Sequence, residues 1–189
     1  VKLMQDISEE VIIKASNGNI DSFEMIFRTY SGYVYNIILK ILSNRESAEE
    51  VTQEVFMAVY RNLKKFRLQS SLKTWIYRIA VNRAINQAKR EVKLRRNVVQ
   101  YNEDFHGKIY EKNPVEKKIE REYQGLLIKR ILKILTPEQR ACIVLRNIEG
   151  LSYKEIAQVL NININSVRSR LKRARMKLLS NREVFLNEL

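Results

Sequence analysis

Apolar residues recur at three- and four-residue steps along most of the chain, the spacing of one face of an α-helix. Ser8 and Asp21 are placed to cap the first two helices. Further helices are expected from about Glu46 to Asn62 and from Ser71 to roughly Val92. Gly (5) and Pro (2) are scarce, which disfavours a turn-rich β fold. The pattern predicts an all-α protein.

The helical pattern breaks between Arg95 and Asn113, where the residues are polar and of mixed charge. It resumes at Asn113-Pro114, with Asn as cap and Pro in the first turn. Thr136-Pro137-Glu138 then begins another helix. We therefore predict two small helical domains, residues 1–94 and 114–189, joined by a linker over residues 95–113.

A helix-turn-helix is predicted between Leu151 and Leu171 in the C-terminal domain. Ser152 and Glu155 have the spacing of a capping box for a short first helix. Asn161 tolerates the positive φ that the turn needs, and Asn163 can cap the second helix. The outer face of that second helix would carry donors suited to bases and phosphates in a major groove: Asn165, Ser166, Arg168, Ser169, Lys172 and Arg173.

The distribution of charge favours a polyanionic partner, either nucleic acid or an acidic membrane surface. The formal net charge is +14. The stretch Arg61–Arg90 holds nine basic residues and no acidic one, and Ser166–Arg182 holds seven and again no acidic one. Such single-sign segments repel themselves unless a polyanion relieves the repulsion.

Several classes of chemistry have no support in this sequence. The single cysteine, Cys142, and the single histidine, His106, can form neither an internal disulfide nor a zinc site. Cys142 lies in an apolar stretch and is predicted to be a buried structural thiol. There is no phosphate-cradling Gly-rich loop and no nucleophile paired with His. We therefore expect a protein without catalytic residues, metal, cofactor or small-molecule substrate. We expect it in the cytoplasm, because no segment reads as a signal peptide or a membrane span.

Seven segments resemble the sigma-70 family of bacterial RNA polymerase sigma factors. Four of them resemble its domain four: Leu135–Arg140, Val144–Arg146, Gly150–Ala157 and Ser166–Arg175. The other three resemble its domain two: Ser47–Phe56, Phe66–Arg67 and Ser71–Ala84. The matches occur in family order, over roughly residues 20–92 and 114–180. The absence of the family's middle domain is typical of the small extracytoplasmic-function group.

The resemblance implies a specificity subunit that binds core RNA polymerase and promoter DNA. An anti-sigma factor, often membrane-bound, is expected as a further partner. The implied polymerase-binding residues lie on an acidic helix: Glu49, Glu50, Gln53 and Glu54. The segment that would melt and bind the minus-10 element offers basic, amide and aromatic side chains: Arg67, Lys73, Thr74, Tyr77, Arg78, Asn82, Arg83 and Asn86. Tyr77 is the stacking candidate, whereas Trp75 is expected in the core. The helix-turn-helix would bind the minus-35 element.

Three other interpretations remain open at this point. A conventional helix-turn-helix regulator would use residues 1–94 for sensing or dimerisation, but this leaves the acid-free stretch Arg61–Arg90 unexplained. A nucleic-acid-processing enzyme lacks a catalytic cluster. A membrane-surface protein would need a larger exposed apolar face. The sequence also leaves the domain arrangement open: the two domains could be loosely tethered in the free chain and packed together when an inhibitor is bound.

Overall fold

All regular structure among the described residues is helical. The coordinates are a computed structural model that describes residues 7–67, 69–98, 128 and 130–181. The predicted fold class, all-α, is confirmed for this part of the chain. No helix within it combines the length and the apolar character that a membrane crossing requires.

The N-terminal group consists of four α-helices and one 3₁₀ turn. Their bounds are α1 Glu9–Ser16, α2 Ile20–Leu42, α3 Arg45–Asn62, the 3₁₀ turn Leu63–Lys65 and α4 Leu72–Val98. Ser8 caps α1, as predicted. The predicted cap of α2 was wrong. Asn19 has the extended backbone of a cap and accepts a hydrogen bond from the Ser22 amide at 2.8 Å, whereas Asp21 lies inside the first turn.

Helices α2, α3 and α4 pack against one another around the apolar stripe of α2. Tyr30 and Val34 are buried at its centre, and Ile76 and Val81 of α4 are buried with them. Helix α4 extends to Val98 and so passes the predicted start of the linker at residue 95. The remainder of the predicted linker, residues 99–113, lies outside the described residues, as does the predicted helix start at residues 113–114.

The C-terminal group contains the predicted helix-turn-helix. From residue 136 on, its helices are α5 Pro137–Ile143, which continues into a π-helical turn Val144–Ile148, then α6 Tyr153–Leu160 and α7 Ile164–Ser180. Capping boxes begin α5 at Thr136 and α6 at Ser152, and Asn163 caps α7. Asn161 takes the left-handed conformation with φ of 52°, as the turn between α6 and α7 requires.

The two groups are packed together rather than merely tethered. Helices α5 and α6 both pack against α4, and α5 and the π-helical turn also contact α2. The buried apolar side chains of both groups belong to one continuous core. Helix α4 therefore has a neighbour from each group, and this places it at the centre of the molecule.

Candidate nucleic-acid and protein interfaces

The outer face of α7 presents the predicted minus-35 residues together. Asn165, Arg168, Ser169, Lys172 and Arg173 are exposed, and Ser166 is half-buried. The opposite face of the helix is anchored in the core, because its apolar side chains are buried: Val167, Leu171 and Ala174. All six candidates therefore project from one rigid, well-packed element.

The hydrogen bonds of this outer face stay within the helix itself. The Arg168 guanidinium donates to the Asn165 Oδ1 at 3.2 Å. The Arg173 Nε donates to the Ser169 carbonyl oxygen at 3.3 Å. These local bonds hold the two guanidinium groups at the surface and leave room for a phosphate or a base edge to replace the weak intrahelical partners.

The acidic face of α3 is exposed along its length. Glu49, Glu50, Gln53 and Glu54 all lie at the surface, above the buried stripe that fixes the helix on α2 and α4. Two of these acids already have cationic neighbours. Glu49 accepts a hydrogen bond from Arg45 at 3.0 Å, four residues earlier on the same helix, and Glu54 accepts one from Arg83 of α4 at 2.7 Å.

Arg67 lies in the loop before α4, and the other predicted minus-10 residues are divided between two faces of that helix. One face carries Asn82 and Asn86, which are exposed, and Arg83, which contacts Glu54. With Arg90 they line a shallow depression of about 310 Å³ between α3 and α4. The acidic and basic candidates that looked separate in sequence are therefore neighbours here.

The second face of α4 points toward the C-terminal group. The Tyr77 side chain is only 1% exposed, and its hydroxyl donates to the Glu149 Oε2 at 3.3 Å. Burial, followed by the negative charge of Glu149, raises the pKa of Tyr77 well above its usual value. The expectation of a stacking Tyr77 does not fit this arrangement of the two groups, because the ring offers no free face to a base.

Two basic residues on this second face also contact the C-terminal group or lie near it. The Arg78 Nε donates to the Gln158 carbonyl oxygen at 3.1 Å. The Lys73 ammonium lies 5.5 Å from the centroid of the Tyr77 ring. The pKa of Glu155 is lowered mainly by hydrogen bonds from Ser152, and the charge of nearby Lys73 adds to this effect.

A cavity of about 290 Å³ opens beside this face, at the loop between α3 and α4. The rings of Phe66 and Trp75 form one wall, with centroids 5.3 Å apart, and Gln158 of α6 closes one side. Trp75 is half-buried and packs on the core, as expected, but it also lines this cavity. The wall residue Phe66 and the closing residue Gln158 were not among the predicted site residues.

Two further contacts between the groups were not predicted. The Lys89 ammonium lies 2.6 Å from the Glu138 Oε1. Arg140 of α5 is 9% exposed, and its guanidinium donates to the Leu132 carbonyl oxygen at 2.7 Å and to the Ile41 carbonyl oxygen at the end of α2. Little in the sequence indicated these contacts. Lys89 and Glu138 are dozens of residues apart, and Arg140 bonds to backbone oxygen atoms, which any residue type provides.

The remaining candidate chemistry is structural. Cys142 is fully buried, as predicted, and burial raises the pKa of its thiol to about 11, so the thiol stays protonated and unreactive. In residues 7–67, 69–98, 128 and 130–181, His, Cys, Asp and Glu side chains form no group that could hold a metal ion.

Comparison with protein families finds matches at both ends of the chain. The model of Sigma-70 region 2 matches residues 26–93, and the model of Sigma-70, region 4 matches residues 125–178. The RNA polymerase sigma factor YlaC of Bacillus subtilis is 30% identical over 161 residues, which cover 85% of this chain and 92% of the relative. The ECF RNA polymerase sigma factor SigW of Bacillus subtilis is 28% identical, with 93% and 96% of the two chains covered.

A solved structure shares the fold. It contains the sigma factor RpoE in complex with the anti-sigma factor NepR from Bartonella quintana. The TM-score is 0.62 at 21% identity, and the match covers 87% of this chain and 99% of that one.

Proposed function

Since the chain belongs to the sigma-70 family of RNA polymerase sigma factors, in the extracytoplasmic-function group, we propose how its surfaces divide the work of initiation. A sigma factor binds core RNA polymerase and directs promoter-specific transcription initiation. The polymerase carries out the chemistry, and the chain itself needs no catalytic group. The domain limits near residues 94 and 114 are part of the proposal.

Core polymerase binds, in this proposal, to the acidic face of α3. Glu49, Glu50, Gln53 and Glu54 are exposed on a helix that is fixed by its buried stripe, so the face is ready to bind a basic helical surface. Glu54 has a second role as the partner of Arg83, which joins this face to the minus-10 residues.

The minus-10 element is bound by the two faces of α4 and the loop before it. Asn82 and Asn86 are four residues apart, exposed, and able to pair with base edges. The basic residues follow the phosphates of the melted strand, with Thr74 beside them: Arg67, Lys73, Arg78 and Arg83. Tyr77 becomes available for stacking only when the C-terminal group moves away from α4.

The minus-35 element is bound by the outer face of α7. The observation that carries this proposal is the exposure of the basic and amide side chains of α7 above a buried apolar stripe, in a helix-turn-helix whose caps are all in place. Asn165 and Ser166 lie in its first turn, Arg168 and Ser169 in its second, and Lys172 and Arg173 in its third.

An anti-sigma factor, possibly membrane-bound, is proposed as the regulator, and the chain is proposed to act in the cytoplasm. One observation supports the regulator: the fold is shared with a sigma factor solved with its anti-sigma factor.

The test combines core binding with transcription. The full chain is mixed with sigma-free core polymerase, and run-off transcripts from genomic DNA of the source organism are sequenced. We expect stable core binding and discrete new start sites. The double variant Arg168→Ala/Lys172→Ala should keep core binding but lose at least about tenfold in transcript yield, because base and phosphate contacts are removed.

The matched control is Lys177→Ala, which removes an exposed charge from the same helix outside the proposed contact set. Its transcript yield should stay within about twofold of the parent chain. Equal losses in the control and the double variant would contradict the assignment of the minus-35 face. A chain that ignores core polymerase altogether would contradict the polymerase-binding proposal.

A further inference from the structure

The acceptors that the C-terminal group places against α4 follow a common pattern. Lys89 faces Glu138 at 2.6 Å, and Tyr77 donates to Glu149 at 3.3 Å. Lys73 lies near enough to Glu155 for its charge to lower the pKa of that carboxyl. Three carboxylates of the C-terminal group therefore lie along α4: Glu138 of α5, Glu149 directly after the π-helical turn and Glu155 of α6.

Arg78 extends the same pattern with a neutral acceptor. Its Nε donates to the Gln158 carbonyl oxygen at 3.1 Å, and Gln158 also closes one side of the cavity walled by Phe66 and Trp75. Tyr77 and Arg78 of the proposed single-strand-binding set thus donate to oxygen atoms of the C-terminal group, whereas Asn82 and Asn86 of the same set stay exposed. The outer face of α7, in contrast, stays exposed in the same structure.

We propose that the free chain shields part of its own single-strand-binding face: Glu138, Glu149 and Glu155 hold the C-terminal group against α4, so that this group covers Tyr77 and Arg78, while the duplex-binding face of α7 stays accessible. The proposal rests on the proposed function of α4. It makes the C-terminal group an internal competitor of the minus-10 strand but not of the minus-35 duplex.

The shielding must be reversible, and the partial solvent exposure of the Lys89–Glu138 ion pair agrees with this. The Lys89 and Glu138 side chains are 55% and 26% exposed, so solvent screens their attraction. When only a fraction of the molecules is open, the apparent affinity for DNA equals the affinity of the open state multiplied by that fraction. Removing the three charges should raise that fraction and thus the measured affinity.

The test uses the full chain without polymerase and two labelled probes, a short DNA single strand of mixed sequence and a DNA duplex. The triple variant Glu138→Gln/Glu149→Gln/Glu155→Gln keeps the shape of each side chain and, at position 155, the capping box. We expect it to bind the single strand about tenfold more tightly than the parent chain does.

The control is Glu9→Gln/Glu24→Gln/Glu46→Gln, which changes the net charge equally at exposed positions outside the contacts with α4. It should change single-strand affinity no more than about twofold. Both triple variants should bind the duplex with the same affinity, because the face of α7 is open in either state. An equal gain for the single strand in both variants would reduce the effect to net charge and overturn the proposal.

A second readout follows opening directly. Trp75 is the only tryptophan of the chain, and Gln158 closes the cavity beside it. Opening should shift its fluorescence to longer wavelength in the interface variant and not in the control. If the fluorescence shifts but the single-strand affinity does not rise, the proposed DNA site on α4 is contradicted. If the affinity rises in the control as well and the fluorescence is unchanged, the shielding is contradicted, but the DNA site on α4 is not.

A charge exchange between positions 89 and 138 distinguishes opening of the chain from misfolding of a variant. Glu138→Lys places two ammonium groups together and should open the chain. Adding Lys89→Glu restores opposite charges at the parent net charge, and it should return both the fluorescence and the single-strand affinity to within about twofold of the parent values. A double variant that stays as open as the single one would overturn the proposal.

Discussion

The face of α4 and the outer face of α7 are both rich in basic residues, but they differ in what lies against them. On α4, Arg83 contacts Glu54 at 2.7 Å and Lys89 contacts Glu138 at 2.6 Å. On α7, the contacts of Arg168 and Arg173 stay within the helix. Both stretches are acid-free in sequence, so the difference comes entirely from their neighbours in space.

The position of each helix in the fold explains this difference. Helix α4 is central and has α2, α3, α5 and α6 around it, so acids from both groups reach its basic side chains. Helix α7 packs on α5 and α6 with one side and leaves its other side at the edge of the molecule. A run of like charge therefore indicates a polyanion-binding segment, but only the packing decides whether that segment is free to bind.

The largest effect is expected from breaking the contact that joins α5 to α2. Arg140→Met keeps much of the side-chain volume but removes hydrogen bonds to the carbonyl oxygens of Leu132, Ile41 and Leu135. Leaving buried carbonyls unpaired should lower the free energy of unfolding by about 3 kcal/mol. Urea unfolding followed by circular dichroism measures this.

The control for this change is Arg175→Met, on the exposed side of α7. Its unfolding free energy should stay within about 0.5 kcal/mol of the parent value. A loss below about 1 kcal/mol for Arg140→Met would mean that the buried guanidinium contributes little to holding α5 against α2.

A smaller effect on the free energy of unfolding should distinguish the covered face of α4 from the open face of α7. Arg78→Ala removes the hydrogen bond to the Gln158 carbonyl oxygen and should cost about 1 kcal/mol of unfolding free energy. Arg168→Ala removes only a bond to its own helix and should cost less than about 0.5 kcal/mol. Thermal unfolding of the two variants side by side checks this. Equal costs would remove the distinction between a covered and an open face.

The smallest effect concerns a single hydroxyl. Tyr77→Phe keeps the buried ring and removes the hydrogen bond to Glu149, so it should lower the unfolding free energy by about 0.5–1 kcal/mol. Combining it with Glu149→Gln in a double-mutant cycle should give a coupling of similar size. Additive effects would show that the two side chains do not interact across the boundary of the two groups.

Local features of this chain followed from the sequence because they depend on neighbours a few residues away. Ser8, Asn163 and the Ser152–Glu155 capping box act within one helical turn, and Asn161 takes a positive φ through its own backbone preference. One cap was wrong, because Asn19 and Asp21 are both good caps and the difference between them is only two residues.

The sequence by itself determined the helices, the order of the motifs, the family and the basic character of both segments. Only the tertiary structure decided that Tyr77 is buried, that Arg83 contacts Glu54, and that one face of α4 is covered while the outer face of α7 is open. Helical periodicity and capping are encoded within a few residues, whereas the Arg83–Glu54, Tyr77–Glu149 and Arg78–Gln158 contacts join residues 29, 72 and 80 positions apart. Such pairs form only when packing of the apolar stripes brings the helices together.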